Sequence, residues 1–503
     1  MTRTPARASA LGPQTDLPVV VIGAGPVGLA AAAHLTDRGL TPLVLEAGDR
    51  VGAAIRAWGH IRTFTPWQYI VDPTAEKLLA PAGWTRPVGD VPPTGAEVVA
   101  GYLEPLASVL GDAVVRTGAR VVAVTRDGLD RSRTLGREQR PFLVRVQDSD
   151  GVVSDMRAAA VIDASGTWGQ PNPLGASGLP AVGEAEAAGV LVGPLPDVLG
   201  SDRARFAGRR TLVVGMGHSA ANTLLNLAQL ACEAPGTEVV WAIRGTDARR
   251  LFGGGADDQL PDRGKLGTDL CSLVLSGAIE QHAGFSTTGL ELAADGTVTV
   301  VGQTTDGELR IAGVHNVAAA TGFRPDVAML SELRLDLDAG LEAPTQLAPL
   351  VDPAFHSCGT VPPHGHRELA HPGEPGFYVV GMKSYGRAPT FLITTGNEQV
   401  RSVAAHLAGD DTAADEVQLV LPETGVCSVT LPPTDPAASA AACCGTAPAA
   451  DVPAEVDAAH AAWANGEARV GFATGVEGGR VADSDGGGLR LDQCGPAGDS
   501  CCG

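Results

Sequence analysis

The sequence has few basic residues and no long apolar run. Its 36 Lys and Arg residues stand against 57 Asp and Glu residues, so the formal net charge at pH 7 is −21. Such a charge argues against nucleic acid and anionic membranes as partners. The most apolar early stretch, residues 19–35, contains three glycines, a proline and a histidine, unlike a membrane-spanning helix. We therefore expect no membrane span and a cytoplasmic location.

Cysteine is scarce in the body of the chain. Only Cys232, Cys271 and Cys358 precede residue 427, whereas six more cysteines crowd into the last 77 residues. A secreted, disulfide-bonded scaffold would not leave its large body almost without bridges. Residues 1–16 contain arginine but no apolar core, so they predict a disordered lead rather than a signal peptide.

What the chain does have is two glycine-rich units. Residues 19–35 read VVVIGAGPVGLAAAAHL, and residues 211–227 read TLVVGMGHSAANTLLNL. Each unit is an apolar run, a Gly-x-Gly turn and a helix of small residues. The length of 503 residues predicts two or three domains, and each unit could hold one dinucleotide.

The first unit has the pattern of a nucleotide-binding strand, turn and helix. VVVI (19–22) is typical of a parallel strand buried on both faces. Gly23 suits the tight turn, Gly25 the close approach of a pyrophosphate, and Gly28 the packing of helix against strand. The helix directs its free N–H groups at the phosphates. Glu46 ends the next strand, where its carboxylate can bind a ribose hydroxyl.

The residues after this unit predict FAD as its dinucleotide. Residues 48–73, GDRVGAAIRAWGHIRTFTPWQYIVDP, are rich in Arg, Trp and Phe, which suits an extended loop over an isoalloxazine ring. Short strands then follow at turn-spaced intervals. They end in AVIDASG, where Ala164, Ser165 and Gly166 would bring backbone close to the nucleotide.

The second unit repeats this design with Gly215, Gly217 and Ala220 in the three glycine positions. Ser219 and Asn222 lie at the start of its helix. The spacing therefore predicts a second dinucleotide site.

Arginine follows the second unit where an acid would select NADH. The next strand, TEVVWAIRG, ends in Arg244, with Arg249 and Arg250 shortly after. An acidic residue would repel a 2′-phosphate, whereas arginine would bind it. We infer NADPH, with a surface arginine as the alternative. Thr321 and Gly322, in HNVAAATGFRPD, lie where the chain would return to the first domain.

These units predict an α/β protein with two Rossmann-like, three-layer ββα domains, the NADPH-binding domain being inserted in the FAD-binding domain. The expected boundaries are 17–180 and 323–410 for FAD, 205–322 for NADPH, and 411–503 for a linker and flexible Cys-rich tail. The last strand and helix of the FAD domain should lie against the flavin ring. One unit would then hold the flavin and the other would deliver the nicotinamide to it.

The motifs resemble those of flavoprotein monooxygenases with two dinucleotide-binding domains, related to the flavin-containing and Baeyer–Villiger types. FAGRRTLVVGMGHSAAN looks like the lead-in to that group's NADPH site, with Phe206 and Gly208 before the strand. AVIDASG and ATGFRPD are similar to its strand-end motifs. Residues 58–73 are most similar to a subset of bacterial flavoproteins often encoded beside arsenic-resistance genes. The resemblance covers residues 17–410.

The resemblance implies an enzyme that uses NADPH to reduce FAD and oxygenates a small substrate through a hydroperoxide at flavin C4a. This chemistry needs a dry pocket and a positive group that stabilises the anionic reduced flavin. The candidate cations are Arg56 and Arg62 after the first unit, and Lys383 and Arg387 in the last segment. The alternative for each is a solvated loop charge.

The sequence departs from this group at one point. A Phe-x-Gly stretch followed by a histidine should precede the second unit, but LVGPLPDVLGSDRARFAG contains no histidine. Oxidase or reductase activity with little oxygenation therefore stays open. Flavin disulfide reductases share the two-unit plan but need a redox cysteine pair. Residues 46–80 contain no cysteine, and Cys232 and Cys271 are too far apart in sequence for such a motif.

Two loops hold further candidate residues. Trp67 and Tyr69 could shape the substrate pocket or serve in packing, and Asp72 is expected on the surface rather than at the nucleotide. A second loop holds three histidines, His364, His366 and His371. Because it is rich in Pro and Gly and has only Glu368 as a nearby carboxylate, it favours a loop at the substrate entrance over a metal site.

The tail contains two adjacent cysteine pairs, Cys443–Cys444 and Cys501–Cys502. Neighbouring thiolates can jointly ligate a soft ion such as trivalent arsenic, or they can belong to a disordered segment with no specific ligand. Two functions of different class follow. The first is an NADPH-dependent FAD monooxygenase that acts with oxygen on a small soft heteroatom or carbonyl substrate, an arsenical for example. The second is a flavoprotein sensor that binds metalloids or thiols. The oligomeric state stays open.

Overall fold

The computed structural model describes residues 16–87, 91–248, 251, 261–356 and 360–421, which form a mixed α/β structure. No helix in this part of the chain is both long enough and apolar enough to cross a bilayer. The expected lead lies outside the described residues except for Asp16, and the tail lies outside them from residue 422 onward.

The strands, in chain order, are β1 (Val19–Ile22), β2 (Pro42–Leu45), β3 (Val115–Arg116), β4 (Ala119–Arg126), β5 (Phe142–Asp148), β6 (Val153–Ala158), β7 (Ala160–Asp163), β8 (Leu191–Val192), β9 (Arg210–Val214), β10 (Glu238–Ala242), β11 (Glu280–His282), β12 (Ser286–Leu292), β13 (Val298–Thr304), β14 (Gly307–Val314), β15 (Asn316–Ala319) and β16 (Phe377–Val379). They form two parallel five-stranded sheets, in the orders β16-β7-β1-β2-β3 and β11-β10-β9-β15-β8. Two antiparallel three-stranded sheets, β4-β5-β6 and β12-β13-β14, complete the set among the described residues.

The α-helices are α1 (Pro26–Asp37), α2 (Ala53–Arg56), α3 (Pro73–Leu79), α4 (Gly95–Val98), α5 (Glu104–Leu110), α6 (Arg203–Phe206), α7 (His218–Glu233), α8 (Pro261–Leu275), α9 (Ala348–Val351), α10 (Ile393–Leu407) and α11 (Asp411–Asp415). A π-helical turn, Val99–Leu103, joins α4 to α5. Short 3-10 turns include Trp67–Tyr69 and Gly381–Tyr385.

The first parallel sheet is the middle of three layers. All four residues of β1 are buried, and alternate residues of a strand face opposite sides of the sheet. Val19 and Val21 pack with α1, α3 and α10 in one core. Val20 and Ile22 pack with the antiparallel β4-β5-β6 sheet in another. This double burial explains why β1 is a continuous apolar run rather than an alternating one.

The second parallel sheet has the same construction. Val213 and Trp241 pack on the side of α7 and α8, whereas Leu212 and Val240 pack on the side of the β12-β13-β14 sheet. Each central sheet is thus covered by helices on one face and by an antiparallel sheet on the other. The predicted pair of three-layer ββα domains is confirmed.

The chain path inserts the second domain into the first. The chain leaves the first sheet after β7, builds β8 to β15, and returns to pair β16 with β7. The outgoing and returning segments run side by side, because Pro171 and Phe323 form an isolated antiparallel bridge. Asn172 joins them by donating from Nδ2 to the carbonyl of Thr321 at 3.1 Å. The carboxyl ends of both parallel sheets therefore lie near these outgoing and returning segments.

A buried ionic network holds the segment before β16. The Glu374 carboxylate is fully buried and accepts hydrogen bonds from Nε of Arg126 at 2.9 Å and from Nε of Arg137 at 2.8 Å. Nη2 of Arg137 and the backbone N–H of Arg334 also donate to it, the latter at 3.0 Å. A buried carboxylate requires such pairing because desolvation otherwise penalises its charge. The network therefore joins the β4-β5 sheet to the returning chain.

Candidate functional site

The turn after β1 is a backbone cradle with an open centre. Gly23 has φ +98°, and a Cβ there would lie 2.9 Å from the carbonyl oxygen of Ala164. A Cβ on Gly28 would lie 2.0 Å from the carbonyl oxygen of Gly23. Gly25, in contrast, has no neighbour within 4 Å of a Cβ position. Two glycines thus permit close backbone packing, and the third leaves space where a pyrophosphate can approach.

The cradle also offers unpaired N–H groups. Gly25 is the N-cap of α1, and no side chain caps the helix there. The first N–H groups of an uncapped helix, together with the helix dipole, favour a bound anion. A phosphate therefore fits this turn both sterically and electrostatically.

Glu46 lies beside the cradle at the end of β2 and is largely buried. Its Oε2 accepts from the N–H of Ala24 at 2.7 Å, and its Oε1 accepts from the N–H of Gly48 at 2.8 Å. Each carboxylate oxygen has a second lone pair. The position predicted for a ribose contact is therefore held rigidly next to the glycine turn.

Lys383 stabilises the segment that contacts the first glycine turn. Its ammonium group is buried, donating to Oδ2 of Asp163 at 2.7 Å and to Oγ of Ser165 at 3.1 Å. Oδ1 of Asp163 accepts from the hydroxyl of Ser165 at 2.6 Å. Ala164, between them, is the residue that contacts Gly23, and Gly166 follows with φ +69°. The structure thus gives Lys383 a partner, Asp163, that sequence reasoning missed although AVIDASG contains it.

The second glycine turn repeats the geometry of the first. Gly215 has φ +133°, and a Cβ there would lie 2.1 Å from the carbonyl oxygen of Ala320. Gly217 has open space around it and caps the start of α7 without a side-chain hydrogen bond. Ala220 is fully buried against the sheet. The second turn therefore also offers an open, uncapped helix start.

Trp241 fixes the second turn from the neighbouring strand. Its side chain is fully buried in β10, and Nε1 donates to the carbonyl oxygen of Gly215 at 2.7 Å. Sequence reasoning treated this strand only as the carrier of Arg244. Arg244 itself is exposed, and its Nη1 donates to the carbonyl of Ala176 at 3.0 Å. Arg249 and Arg250 lie outside the described residues.

Thr321 and Gly322 lie at the crossing between the domains. The hydroxyl of Thr321 donates to the carbonyl of Asn172 at 2.7 Å. Gly322, with φ +86°, accepts from the N–H of Asn172 at 3.0 Å. These two predicted residues therefore hold together the two segments that connect the domains. The neighbouring Ala320 contacts the second glycine turn.

A cavity of about 290 Å³ lies where three parts of the chain meet. It is lined by the loop after the first unit, by the start of α7 and by the segment before α10, namely Trp58, Ile61, Arg62, Thr63, Phe64, Thr65, Leu195, His218, Ser219, Asn222, Pro389, Phe391, Leu392 and Ile393. The rings of Phe64 and His218 are 4.7 Å apart, which joins the two domains across this space. Most of the wall is apolar, with a few polar groups, as is typical of a ligand site.

A larger cavity of about 600 Å³ lies on the other side of Arg62. Trp67, Ala100 and Gly101 form part of its wall, and Glu97 provides a carboxylate. Arg62 lines both cavities; its guanidinium donates to the carbonyl of Pro92 and lies 3.9 Å from the Glu97 carboxylate. Tyr69 is half-buried nearby in sequence but is not part of either wall as described.

The other two candidate arginines are held in ion pairs. Nη2 of Arg56 donates to the Glu104 carboxylate at 2.7 Å. Arg387 binds Glu342 through Nε and Nη2, at 2.9 and 3.1 Å. Neither belongs to the described walls of the two cavities. Of the four candidate cations, the structure brings only Arg62 together with Ser219 and Asn222 in the described part of the chain.

From the sequence we expected Asp72 on the surface, but the structure does not place it there. It is buried, and its Oδ1 accepts from the N–H groups of Thr74 and Ala75 as the N-cap of α3. Its Oδ2 lies 3.0 Å from Nε2 of His34, in α1. The residue thus joins α1 to α3 through a partner 38 residues away, which the local sequence does not reveal.

The histidine loop does not line an entrance. His364, His366 and His371 are all buried, each with its own partners. Nε2 of His364 lies 3.0 Å from Nε2 of Gln399, and Nδ1 of His371 accepts from the N–H of Asp336 at 3.1 Å. Burial lowers the pKa of all three, that of His371 to about 4. The sequence predicted a loop that lines a substrate entrance, whereas these histidines are buried and the segment packs against α10, where His366 contacts Ser402. The tail cysteines Cys443, Cys444, Cys501 and Cys502 lie outside the described residues.

Comparisons with known proteins agree with this geometry. The profile of the family described as "Pyridine nucleotide-disulphide oxidoreductase" matches residues 20–354. The fold is similar to that of a bacillithiol disulfide reductase from Bacillus cereus (TM-score 0.58, 20% identity, covering 78% of this chain and 98% of that one). It is also similar to an ornithine N-hydroxylase from Kutzneria sp. 744, solved with reduced FAD and NADP+ (TM-score 0.53, 16% identity, 79% and 99%). An FAD-bound cadaverine monooxygenase from Erwinia amylovora gives a TM-score of 0.52 at 14% identity, covering 83% and 99%.

Curated relatives match a short stretch. A 15-cis-phytoene desaturase from Narcissus pseudonarcissus is 48% identical over 46 residues, which is 9% of this chain and 8% of that protein. The equivalent protein from Arabidopsis thaliana is 50% identical over 50 residues, or 10% and 9%. The chain thus matches less than a tenth of the length of these relatives.

Proposed function

This chain belongs to the pyridine nucleotide–disulphide oxidoreductase family, and we propose that it is an FAD-dependent enzyme that oxidises NADPH and oxygenates a small substrate. The observation that carries the proposal is the 290 Å³ cavity at which the FAD-side loop, the second glycine turn and the segment before α10 meet. A cavity shared by two dinucleotide sites is where a nicotinamide and a flavin can face each other.

The first cradle fits FAD. Gly25 leaves open space at an uncapped helix start, and Glu46 lies beside it for a ribose. When bound, FAD would supply the hydride acceptor and the oxygen chemistry that side chains lack. The chain's own residues would bind the FAD, orient it and shield it from water. Lys383 and Asp163 hold the turn that touches Gly23.

The second cradle fits NADPH. Gly217 is open, and Ser219 and Asn222 face the shared cavity from the first turn of α7. Arg244 follows β10 and is exposed, so its guanidinium is accessible to a 2′-phosphate. The Kutzneria N-hydroxylase, with a similar fold, was solved with NADP+, which agrees with this assignment.

Oxygen is the electron acceptor that the cavity favours over a disulfide. Trp58, Phe64 and Phe391 make its wall largely apolar, which is the environment that oxygen chemistry on a reduced flavin needs. Cys232 lies exposed on α7 and Cys271 is buried in α8, and neither is among the described residues that line this cavity. Arg62 is the lining cation that could stabilise a developing negative charge.

A small substrate with a soft heteroatom suits the volume and the apolar wall. Trivalent arsenicals belong to this class, and that narrower proposal depends on the resemblance of residues 58–73 and on the tail thiols. A cytoplasmic location agrees with the reduced state that such thiols need.

The test is NADPH consumption by the purified, flavin-loaded protein in air, measured with oxygen uptake and hydrogen peroxide release. Monooxygenase activity predicts that a substrate, trivalent arsenite or a thioether for example, raises oxygen uptake without raising peroxide. Substrate-independent peroxide release would instead make the protein an NADPH oxidase or a redox sensor. A colourless protein that takes up no flavin would overturn the proposal as a whole.

Arg62→Gln is the informative variant. It removes the charge from the cavity but keeps a hydrogen-bonding side chain, so we expect flavin content to stay and substrate-coupled oxygenation to fall by at least tenfold. Arg56→Gln is the matched control, because Arg56 pairs with Glu104 outside the described cavity walls. If both variants had the same substrate-coupled oxygenation rate, Arg62 would have no specific role in the reaction.

A further inference from the structure

Two stacked histidines and an aspartate lie at the far end of α10 from the cavity. One ligand atom each from His366, His406 and Asp411 lies within 4.8 Å of the others. The two imidazole rings are 4.6 Å apart and nearly parallel. His366 is buried, whereas His406 is about a third exposed and Asp411 is mostly exposed. The cluster therefore opens to solvent on one side.

The hydrogen bonds around Ser402 determine which nitrogen of His366 carries its proton. The Ser402 hydroxyl has one hydrogen, and Oγ donates it to the carbonyl oxygen of Ala414 at 2.7 Å. The same Oγ accepts from the backbone N–H of His366 at 2.9 Å. The contact of 3.0 Å between Oγ and Nδ1 of His366 must then be a bond donated by Nδ1–H.

Nε2 of His366 is consequently a lone-pair acceptor that faces other acceptors. It lies 3.8 Å from Oδ1 of Asp415, which is longer than a hydrogen bond. An imidazole whose Nδ1–H is fixed by a second group is the usual arrangement of a metal-binding histidine. Nδ1 of His406 lies 2.8 Å from Oδ1 of Asp411, so the second imidazole and the carboxylate already lie together on the open side of the cluster.

We propose that His366, His406 and Asp411 form a binding site for a divalent transition-metal ion such as Zn²⁺. Two imidazoles and one carboxylate are a donor set that suits zinc, with water at the fourth position. A metal lies in the plane of each imidazole that binds it, so the more exposed ring of His406 rotates out of the stack on binding. Asp415 is not counted, because Arg367 already binds both of its oxygens.

The consequence of such a site is a link at the C-terminal end of α10. His406 is in the last turn of that helix, Asp411 begins α11, and His366 belongs to the loop beneath. The metal would add a link between three segments that already share hydrogen bonds, such as those of His366 with Ser402 and of Arg367 with Asp415. Because a metal that binds only the folded state stabilises it, zinc should raise the unfolding temperature.

The experiment is equilibrium dialysis of the full chain against Zn²⁺, with its thiols alkylated so that the cysteines do not bind the ion. We expect wild type to bind one zinc more per chain than His406→Gln or Asp411→Asn, and zinc to raise the unfolding temperature of wild type but not that of either variant. Asp411 is exposed enough that its variant should fold, and retained flavin absorbance checks this.

His282→Gln is the matched control. His282 forms an exposed pair with Glu280, also at 2.8 Å, in the other parallel sheet, and this variant should bind as much zinc as wild type. Zinc binding that is equal in all four proteins, or absent from alkylated wild type, would overturn the site. Neither result bears on the FAD- and NADPH-dependent function, because the cluster lies outside the cavity walls described above.

Discussion

Gly25 and Gly28 are three residues apart, yet a methyl group would meet different surroundings at each. Gly28 touches backbone, whereas Gly25 faces open space with an ordinary extended conformation, φ −81°. Gly25→Ala should therefore leave the stability of the apoprotein unchanged or slightly higher, because alanine costs less backbone entropy. It should reduce FAD occupancy, since the methyl group takes the space of the pyrophosphate. Flavin absorbance and thermal unfolding measure the two effects.

Two further glycine variants serve as comparisons for this prediction. Gly28→Ala should destabilise the protein as well as lower flavin content, because its Cβ would lie 2.0 Å from a carbonyl oxygen. Gly189→Ala should change neither, because Gly189 has open space far from the cradle in sequence. Full flavin occupancy in Gly25→Ala would argue against a pyrophosphate at this turn.

Trp241 offers a second test at the residue scale, because its indole N–H holds the carbonyl of Gly215 at 2.7 Å. Trp241→Phe keeps most of the buried ring but removes this bond. A lost neutral hydrogen bond costs about 1 kcal/mol, which corresponds to a roughly fivefold rise in KM for NADPH. FAD content should not change. Steady-state kinetics with varied NADPH would contradict the assignment if KM stayed the same.

The ion-pair partners of two candidate cations could not be predicted from the sequence. Arg387 and Lys383 are close in sequence, and both were candidates to stabilise a reduced flavin. Arg387 pairs with Glu342 at the surface, whereas Lys383 is buried with Asp163, 220 residues away in sequence. A partner at that distance is chosen by the sheet that joins β7 to β16, not by any local pattern.

At the scale of elements, the histidine loop gives the protein a predicted acid sensitivity. Burial lowers the pKa of His371 from 6.5 to about 4, so the folded protein keeps this residue neutral where the unfolded chain would protonate it. The stability that depends on neutral His371 is complete above pH 6.5 and is lost as the pH falls from about 6.5 to about 4. At about 1.4 kcal/mol per pKa unit, the loss approaches 3 kcal/mol.

His371→Asn tests this contribution. The asparagine oxygen can still accept the N–H of Asp336, which Nδ1 of His371 accepts now, but the side chain does not titrate. We expect the unfolding free energy of the variant to fall less than that of wild type between pH 6.5 and 4. Chemical denaturation at several pH values measures the difference, and parallel curves would contradict it.

The three-layer construction of each domain was predictable because its signals are local. VVVI and TLVV are continuous apolar runs, which parallel strands need when both faces are buried, and each precedes a glycine turn and a helix. Asp72 was wrongly expected on the surface, and the histidine loop was expected at a substrate entrance, whereas its three histidines are buried and line neither described cavity. Their polar composition resembles that of a surface segment, but α3 and α10 cover them.

At the scale of the whole molecule, all of the described site elements precede residue 410, the last of them being α10. A chain that ends at residue 421 should therefore retain FAD content and the NADPH oxidation rate of the full chain. If it also loses a tight binding site for trivalent arsenic, the tail thiols are a metalloid site. Retained arsenic affinity would contradict that role, and loss of flavin would show that the tail supports the fold.

The sequence by itself determined the two glycine turns, their order along the chain and the strand, turn and helix that form each of them. These features depend on glycines, small residues and apolar runs within about thirty residues, where backbone sterics and helix ends act. Only the tertiary structure decided which cation reaches the shared cavity, which histidines meet Asp411, and that Trp241 holds Gly215. Those contacts join different strands, helices and loops, and they follow from how these elements pack against one another.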